Sequence, residues 1–402
     1  MWDLKSRYLP AVSGAMMNMG WKLPAVEAGH PDKMLTFWQD NGFLDKPYKY
    51  MLVSAFYGIA FQKGKEQSFR EMCDVGKDVY ILGDSGGFQA VSQQKILDPA
   101  DVIAWQNQNC TTGLILDVPP YEMAKSREDE EEEGNKSFLA QFGAEKDFEG
   151  SLKYTLKNAT VMKKGQKELL NLYGVIQGNT KEKAIRWFKT LKHLDFEGWS
   201  LAPKPSGDPD TLQWWLELAY EYLEDAPLHI LQIGSPLAVA MTTRFCYKKY
   251  KGTITYDNST PLKLATNYRG YMDRDGGNVL LGSRGQGEKE DTKKFLAKYL
   301  TAEGKLACPC NVCQTVPLEL FQNAESNGAL YMALHNIQAY NVMHEYIKSI
   351  AVDTDKLRMF FARLDPKLRA KIMPTRRPIT AIMDAIDNIG SAEVKVQQRL
   401  FG

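Results

Sequence analysis

Short apolar runs recur along the first two thirds of the chain, separated by longer stretches in which apolar positions fall three and four apart. The runs are YLPAVS (8–13), YMLVSA (50–55), VYILGD (79–84), LILDVP (114–119), LYGVIQG (172–178), WSLAP (199–203), LHILQIG (228–234) and TITYDN (253–258). Each is the length of a buried strand and is bounded by polar or turn residues. Between them the pattern is helical. In DTLQWWLELAYEYLED (210–225), Leu212, Trp215, Leu216, Ala219, Tyr222 and Leu223 share one face, and Asp210 is placed to cap the first turn. Trp215 on that face reads as core. Eight strands alternating with helices predict an α/β fold, either a (β/α)8 barrel or a doubly wound sheet.

The pattern changes after about Gly282. GSRGQGEKEDTKK is polar and rich in glycine, and it is followed by a cysteine cluster and by helical segments to the end of the chain. The expected division is a barrel unit over 1–290 and, over 291–402, a zinc-binding subdomain with C-terminal helices. An acidic stretch between Lys125 and Lys136 reads as a solvated face turned away from any polyanion. No repeat of solenoid length is present.

Composition narrows the function classes. The chain has 402 residues and a formal net charge of +1, with 44% hydrophobic and 25% charged residues. That balance suits a globular enzyme and not a polybasic nucleic-acid binder, although it leaves room for a local basic groove. RFCYKKYKG (244–252) mixes Arg244, Lys248, Lys249 and Lys251 with two tyrosines, and reads either as a phosphate track or as a solvated helix end. No apolar run approaches the roughly 18 residues of a membrane span. The opening MWDLKSRYLP lacks the pattern of a signal peptide. A cytoplasmic protein with no membrane partner is expected.

Polar residues stand where the strands end. Asp84 closes the third run, Asp117 the fourth, Gln177 the fifth, Gly234 the seventh and Asp257 the eighth. In a barrel these ends share the C-terminal face, where barrel enzymes carry their active sites. One such aspartate reads equally as a helix cap or turn residue. Three carboxylates and an amide at matching ends point to acid–base or nucleophilic chemistry. In DSGGFQ (84–89), Gly86 and Gly87 let the main chain approach a ligand closely.

Three of the six cysteines crowd into CPCNVC. Cys308, Cys310 and Cys313 with His335, on a helical stretch beyond, make a closed tetrahedral set for a structural Zn2+. His344 lies further along that stretch on its opposite side and reads as a packing residue. Cys73, Cys110 and Cys246 are isolated and read as buried fillers.

Taken in order, these segments resemble the tRNA-guanine transglycosylase superfamily. DSGGFQ (84–89), LILDVPPYE (114–122), GVIQGN (174–179), LQIGSP (231–236), TYDNSTP (255–261), and Cys-x-Cys-x2-Cys followed by LHN (334–336) carry the likeness, from about Tyr50 to Tyr346. The resemblance implies a (β/α)8 barrel with a zinc subdomain packed on it, a possible homodimer, and base exchange without strand cleavage. It implies Asp257 as the nucleophile and Asp84 as the general acid and base. Asp117 would bind the guanidine-like edge of the base and Gln177 its carbonyl, with Ser85, Gly86, Phe88 and Gly234 shaping the pocket.

The chain departs from the family after the sixth strand. There LAPKPSGDP (201–209) puts Ala202 and Pro203 where glycines are expected. It departs again after the nucleophile, where STPLKLATNYRGYM (259–272) keeps Lys263 and Arg269 but not the run that grips an anticodon loop. A kept core with changed gripping segments resembles the DNA-modifying branch, found in phages and bacterial modification clusters, which places 7-deazaguanines such as preQ0 into DNA. DNA is the favoured nucleic-acid partner and tRNA the alternative. A catalytically dead binding barrel and a carbohydrate glycosidase fit the strand-end residues and the cysteine cluster less well.

Overall fold

The computed structural model describes residues 3–12, 17, 24–44, 46–120, 140, 148–268, 270–272, 278–280, 300–302, 305–322, 327–364, 366, 369 and 377–391. The acidic stretch, the glycine-rich segment after Gly282 and Arg269 lie outside the described residues.

All eight apolar runs contribute a strand: β1 (Lys5–Val12), β2 (Tyr50–Ser54), β3 (Tyr80–Asp84), β4 (Thr112–Leu114), β5 (Asn171–Ile176), β6 (Gly198–Leu201), β7 (Leu228–Ile230) and β8 (Ile254–Asn258). Each pairs in parallel with the next, and β1 pairs with both β2 and β8, so the sheet is a closed barrel. Closure excludes the doubly wound alternative. Tyr8 lies opposite Tyr256 and Leu9 opposite Asp257 across the seam, while Ala11 and Val12 pair with Leu52 and Val53.

The outer ring is built from α1 (Ala55–Gln62), α2 (Gly87–Ser92), α3 (Pro99–Asn109), α4 (Phe148–Gly165), α5 (Lys181–Leu191), α6 (Pro209–Tyr222) and α7 (Pro236–Lys248). Side-chain caps start several of them: Asp98 for α3, Thr180 for α5, Asp208 for α6 and Ser235 for α7. Proline occupies the first turn of α3, α6 and α7, where its missing N–H costs nothing. The cap of α6 is therefore Asp208, which accepts from Thr211 N at 2.7 Å, and not Asp210. Pro209 starts the helix one turn position earlier than the apolar pattern suggests, and Asp210 pairs instead with Arg377. Trp215 is fully buried, as expected.

Two strands end four or more residues before their apolar runs do. β4 ends at Leu114, because the next residues give their backbone to side chains of α4. Leu116 N approaches Met162 Sδ at 3.0 Å, Asn158 Nδ2 donates to Leu116 O at 3.1 Å, and Val118 N donates to Thr155 Oγ1 at 2.9 Å. β7 ends at Ile230, and the chain turns through Gln232 at φ 62°.

Beyond the barrel come α8 (Thr260–Tyr268), α9 (Gly328–Ile350), α10 (Thr354–Arg363) and α11 (Ile379–Asp387). α9 lies over the seam, packed on β1, α7 and α8. Outward-facing residues of β8 reach it: Tyr256 Oη meets His344 Nδ1 at 2.6 Å, and Asn258 Nδ2 donates to Tyr340 Oη at 3.0 Å. His344 is thus a packing residue, stacked on Tyr8 and held neutral by burial, which lowers its pKa to about 3.

The basic stretch at the end of α7 is not a phosphate track. Arg244 is buried and forks onto Asp387 of α11 with two 2.7 Å bonds, Lys248 joins the same carboxylate at 2.8 Å, and Tyr250 is buried. These residues lie at the base of the barrel, away from its mouth. Cys73 and Cys246 are buried, while Cys110 is only half-buried.

Because Arg244 is desolvated and bidentate, removing it opens a gap against the barrel and leaves the Asp387 carboxylate with Lys248 alone. Arg244→Ala is expected to cost about 3 kcal/mol in urea unfolding. An Asp387→Asn, Arg244→Met double variant should recover part of that loss, and equal losses in both would refute the pairing as the cause.

Candidate active site and metal centre

The mouth of the barrel gathers the strand-end residues. Asp84 is the last residue of β3 and pairs in register with Ser54 of β2. The next residues turn sharply: Gly86 has φ 85°, and a side chain there would meet Phe56 Cβ at 2.5 Å. Only glycine is comfortable in that conformation at that distance. The adjoining Gly87 passes so close to the Asp117 backbone that a Cβ would overlap its carbonyl oxygen. The glycine pair thus packs the turn after β3 against the loop after β4 and brings two aspartates together.

Asp117 stands three residues past its strand, in the loop that Thr155, Asn158 and Met162 of α4 hold in place. Gln177 Nε2 donates to Asp117 Oδ2 at 2.6 Å, and Ser85 Oγ reaches Oδ1 at 3.5 Å. Thr155 and Asn158 were not singled out in the sequence. Their only signal there is that they are polar residues on a helix face that should meet the barrel.

Asp257 sits on β8 and is buried, with Oδ1 accepting from Gln232 N at 2.9 Å. Gly234 lies on the same loop as Gln232 and must be glycine for space, since a Cβ would run into the Asn258 side-chain amide. Tyr340 of α9 fixes this corner by donating to Gly234 O at 2.8 Å while accepting from Asn258. Phe88 is exposed at the rim, with the Lys204 ammonium 5.3 Å from its ring centre. Lys204 belongs to the loop after β6, and burial lowers its pKa.

The electrostatics of the mouth separate the carboxyls. Burial, with the nearby Asp117 and Asp257 carboxylates acting in the same direction, raises Asp84 to about 7 against the Gly86 N–H and the Ser54 hydroxyl. Burial also raises Asp117, opposed by the Gln177 amide. Asp84 is therefore a carboxyl that both holds and releases a proton near neutrality, within electrostatic reach of the Asp257 carboxylate. Such an arrangement can perform acid–base chemistry beside a nucleophile.

The second centre lies on the far side of the seam. The ligand atoms of Cys308, Cys310, Cys313 and His335 lie within 4.8 Å of one another, and the group can hold a metal ion. His335 Nδ1 faces Cys310 Sγ at 3.3 Å and Cys313 Sγ at 3.1 Å. Its Nε2–H donates to Met272 O at 2.8 Å, which fixes the tautomer and leaves Nδ1 free to ligate. The ring stacks on Tyr271 with centroids 4.2 Å apart. Three thiolates and one oriented imidazole form a soft, four-membered donor set with no position left over.

No model of a known protein family matches the chain, and no curated protein matches it.

Asp84 also sets a stability test. Its folded pKa of about 7 exceeds the ordinary 3.8, so its stabilising contribution is present at low pH and is lost as pH rises towards 7. Asp84→Asn should therefore stabilise the protein at pH 8 by about 2 kcal/mol, allowing for water at the mouth, and by much less at pH 5. Urea titrations at the two pH values check this, and an equal effect at both refutes it. For the second centre, metal analysis should return a stoichiometric ion. Cys310→Ser should lose that ion and drop the thermal midpoint by roughly 5 °C or more. An unchanged midpoint would rule out a structural role.

Proposed function

We propose that the chain is a guanine transglycosylase that exchanges guanine in DNA for a 7-deazaguanine base such as preQ0, through a covalent glycosyl intermediate on Asp257. The observation that carries the reading is the pairing at the barrel mouth of a carboxyl near neutrality, Asp84, with a carboxylate fixed by a main-chain amide, Asp257. Two carboxyl groups flanking a glycosidic bond with an oxocarbenium-like transition state are the working parts of glycosyl transfer. The order and spacing of the transglycosylase-like segments decide the reading in favour of a nucleobase over a sugar as leaving group.

In the proposed reaction a carboxylate oxygen of Asp257 attacks C1′ as the bond from C1′ to guanine breaks. Asp84 gives its proton to the departing guanine and becomes a carboxylate. The incoming 7-deazaguanine passes a proton to Asp84, its nitrogen attacks C1′, and the bond to Asp257 breaks. The phosphodiester backbone is untouched. Asp117 and Gln177 recognise the edge of the base, and their mutual 2.6 Å bond holds both in place before it arrives. Ser85, Gly86, Phe88 and Gly234 shape the pocket. A duplex target must leave its stack to reach the barrel mouth.

The metal centre is read as Zn2+, which suits three thiolates and an imidazole in a closed tetrahedron. Its contribution is structural, because the four ligands leave no position for a reactant. DNA is favoured over tRNA because segments 201–209 and 259–272 depart from the tRNA-gripping pattern. No helix among the described residues is long and apolar enough to cross a membrane, which accords with a cytoplasmic enzyme.

The test is to trap the intermediate. Duplex DNA, single-stranded DNA and tRNA are each incubated with the protein, with and without preQ0, and resolved under denaturing conditions. A DNA adduct that disappears in Asp257→Ala, with preQ0 incorporated into the DNA, is the expected result. Asp84→Asn should slow exchange by about 100-fold or more. An adduct with tRNA alone would make the chain a tRNA-guanine transglycosylase, and no adduct with any substrate would overturn the transglycosylase reading.

A further inference from the structure

The layer of side chains beneath Asp257 is polar where a barrel interior is ordinarily branched and apolar. Ser200, His229 and Thr255 lie in register on β6, β7 and β8 and point inward, and all three are buried. His229 is completely buried. Its Nδ1 is 2.9 Å from Thr255 Oγ1, and its Nε2 is 3.4 Å from Asp257 Oδ1. Nε2 makes no hydrogen bond among the described residues, and the 3.4 Å approach to Oδ1 is a charge contact only. A buried ring nitrogen without a partner needs an explanation, and the Asp257 carboxylate lies 3.4 Å from it.

The same oxygen receives a second donor from an unusual piece of backbone. Gln232 N donates to Asp257 Oδ1 at 2.9 Å, and Gln232 has φ 62° with its side chain exposed. A glutamine gains nothing local from the left-handed region, so the strain is set by the surroundings. The turn aims one N–H at one oxygen. Both donors converge on Oδ1, and neither touches Oδ2.

We propose that His229 is a positioning residue that, with the Gln232 backbone amide, clamps Asp257 Oδ1 so that Oδ2 alone is presented at the barrel mouth as the attacking atom. The proton arrangement is self-consistent. In the proposed arrangement the single Thr255 Oγ–H turns to His229 Nδ1, 2.9 Å away, in preference to Leu228 O at 3.3 Å, which leaves the neutral imidazole with its proton on Nε2 and aims Nε2–H at Oδ1. The clamp works in both directions. It holds the carboxylate in one rotamer for attack, and when the bond from Oδ2 to C1′ breaks it receives the returning charge on a carboxylate already bonded through Oδ1. The role in catalysis rests on the transglycosylase reading; the clamp itself does not.

The test has two arms, so the two failures can be told apart. The first needs no substrate. The chain has five histidines, and 15N-histidine spectra of the full-length protein, with His229→Gln for assignment, should show His229 as the Nε2–H tautomer. Asp257→Asn should shift the His229 Nε2 signal and leave those of His30 and His193 in place. An Nδ1–H tautomer, or no response to Asp257→Asn, overturns the clamp whatever the protein's activity. The second arm measures exchange. His229→Met, which fills the space without a donor, should lower kcat by about 30-fold with little change in KM, and Thr255→Val by about fivefold. His229→Gln, which restores an N–H near Nε2, should recover most of the rate. Equal losses in His229→Met and His229→Gln, or a loss confined to KM, overturn the positioning role. Absence of any adduct from the unsubstituted protein defeats the transglycosylase reading, and the spectra still decide the clamp.

Discussion

Closure of the barrel between β1 and β8 is the constraint on which the rest of the molecule depends. The seam joins the two ends of the barrel sequence, residues 5–12 and 254–258, across about the longest separation available to it. Asp257 stands on this seam, opposite Leu9, so the position of the nucleophile candidate is fixed only when the sheet closes. The seam is strapped from outside by α9. That helix carries His335 near its start, Tyr340 beside the Gly234 corner, and His344 against Tyr8 and Tyr256. One rigid element therefore spans from the metal centre to the loop that shapes the mouth. In this arrangement an ion held by the cysteine group would brace the loop at the barrel mouth without touching it.

The mouth concentrates carboxyl groups where burial disfavours their charge. Gathering Asp84, Asp117 and Asp257 at the barrel mouth, with burial of Asp84, raises Asp84 towards neutrality, which costs stability. Asp117 is partly relieved by Gln177 and Ser85, while Asp257 Oδ1 accepts the Gln232 amide. The three carboxyls thus differ by neighbourhood and not by residue type. Such differences of neighbourhood are what acid–base chemistry beside a nucleophile requires, the roles proposed for Asp84 and Asp257.

Alternation along the strands encoded much of this. Tyr256 and Asn258 face α9 while Thr255 and Asp257 face inward, the period of two that any half-exposed strand displays. The spacing of Cys308, Cys310 and Cys313 is short enough for local chain geometry to bring three thiols together, so the metal centre was legible as well. His335 was legible only as a residue type on a helix. The end of β4 was misread because LILDVP is apolar apart from Asp117, and apolar character does not reveal that Thr155, Asn158 and Met162 capture the backbone beyond Leu114. The cap of α6 was misplaced by two residues for a similar reason. Asp208 and Asp210 both suit a cap, and the proline between them decides which one serves. RFCYKKYKG read equally as a groove or a helix end until Asp387, far along the chain, was seen to hold two of its charges.

By itself, then, the sequence determined the strands, the buried face of α6, the polar strand ends and the three clustered cysteines, because each depends on residues within a few positions of one another. Only the tertiary structure decided that the sheet closes, that α9 straps the seam, that α4 positions Asp117, and that His229 lies beneath Asp257. Each of these joins segments tens to hundreds of residues apart, where periodicity says which face is buried but not what it is buried against.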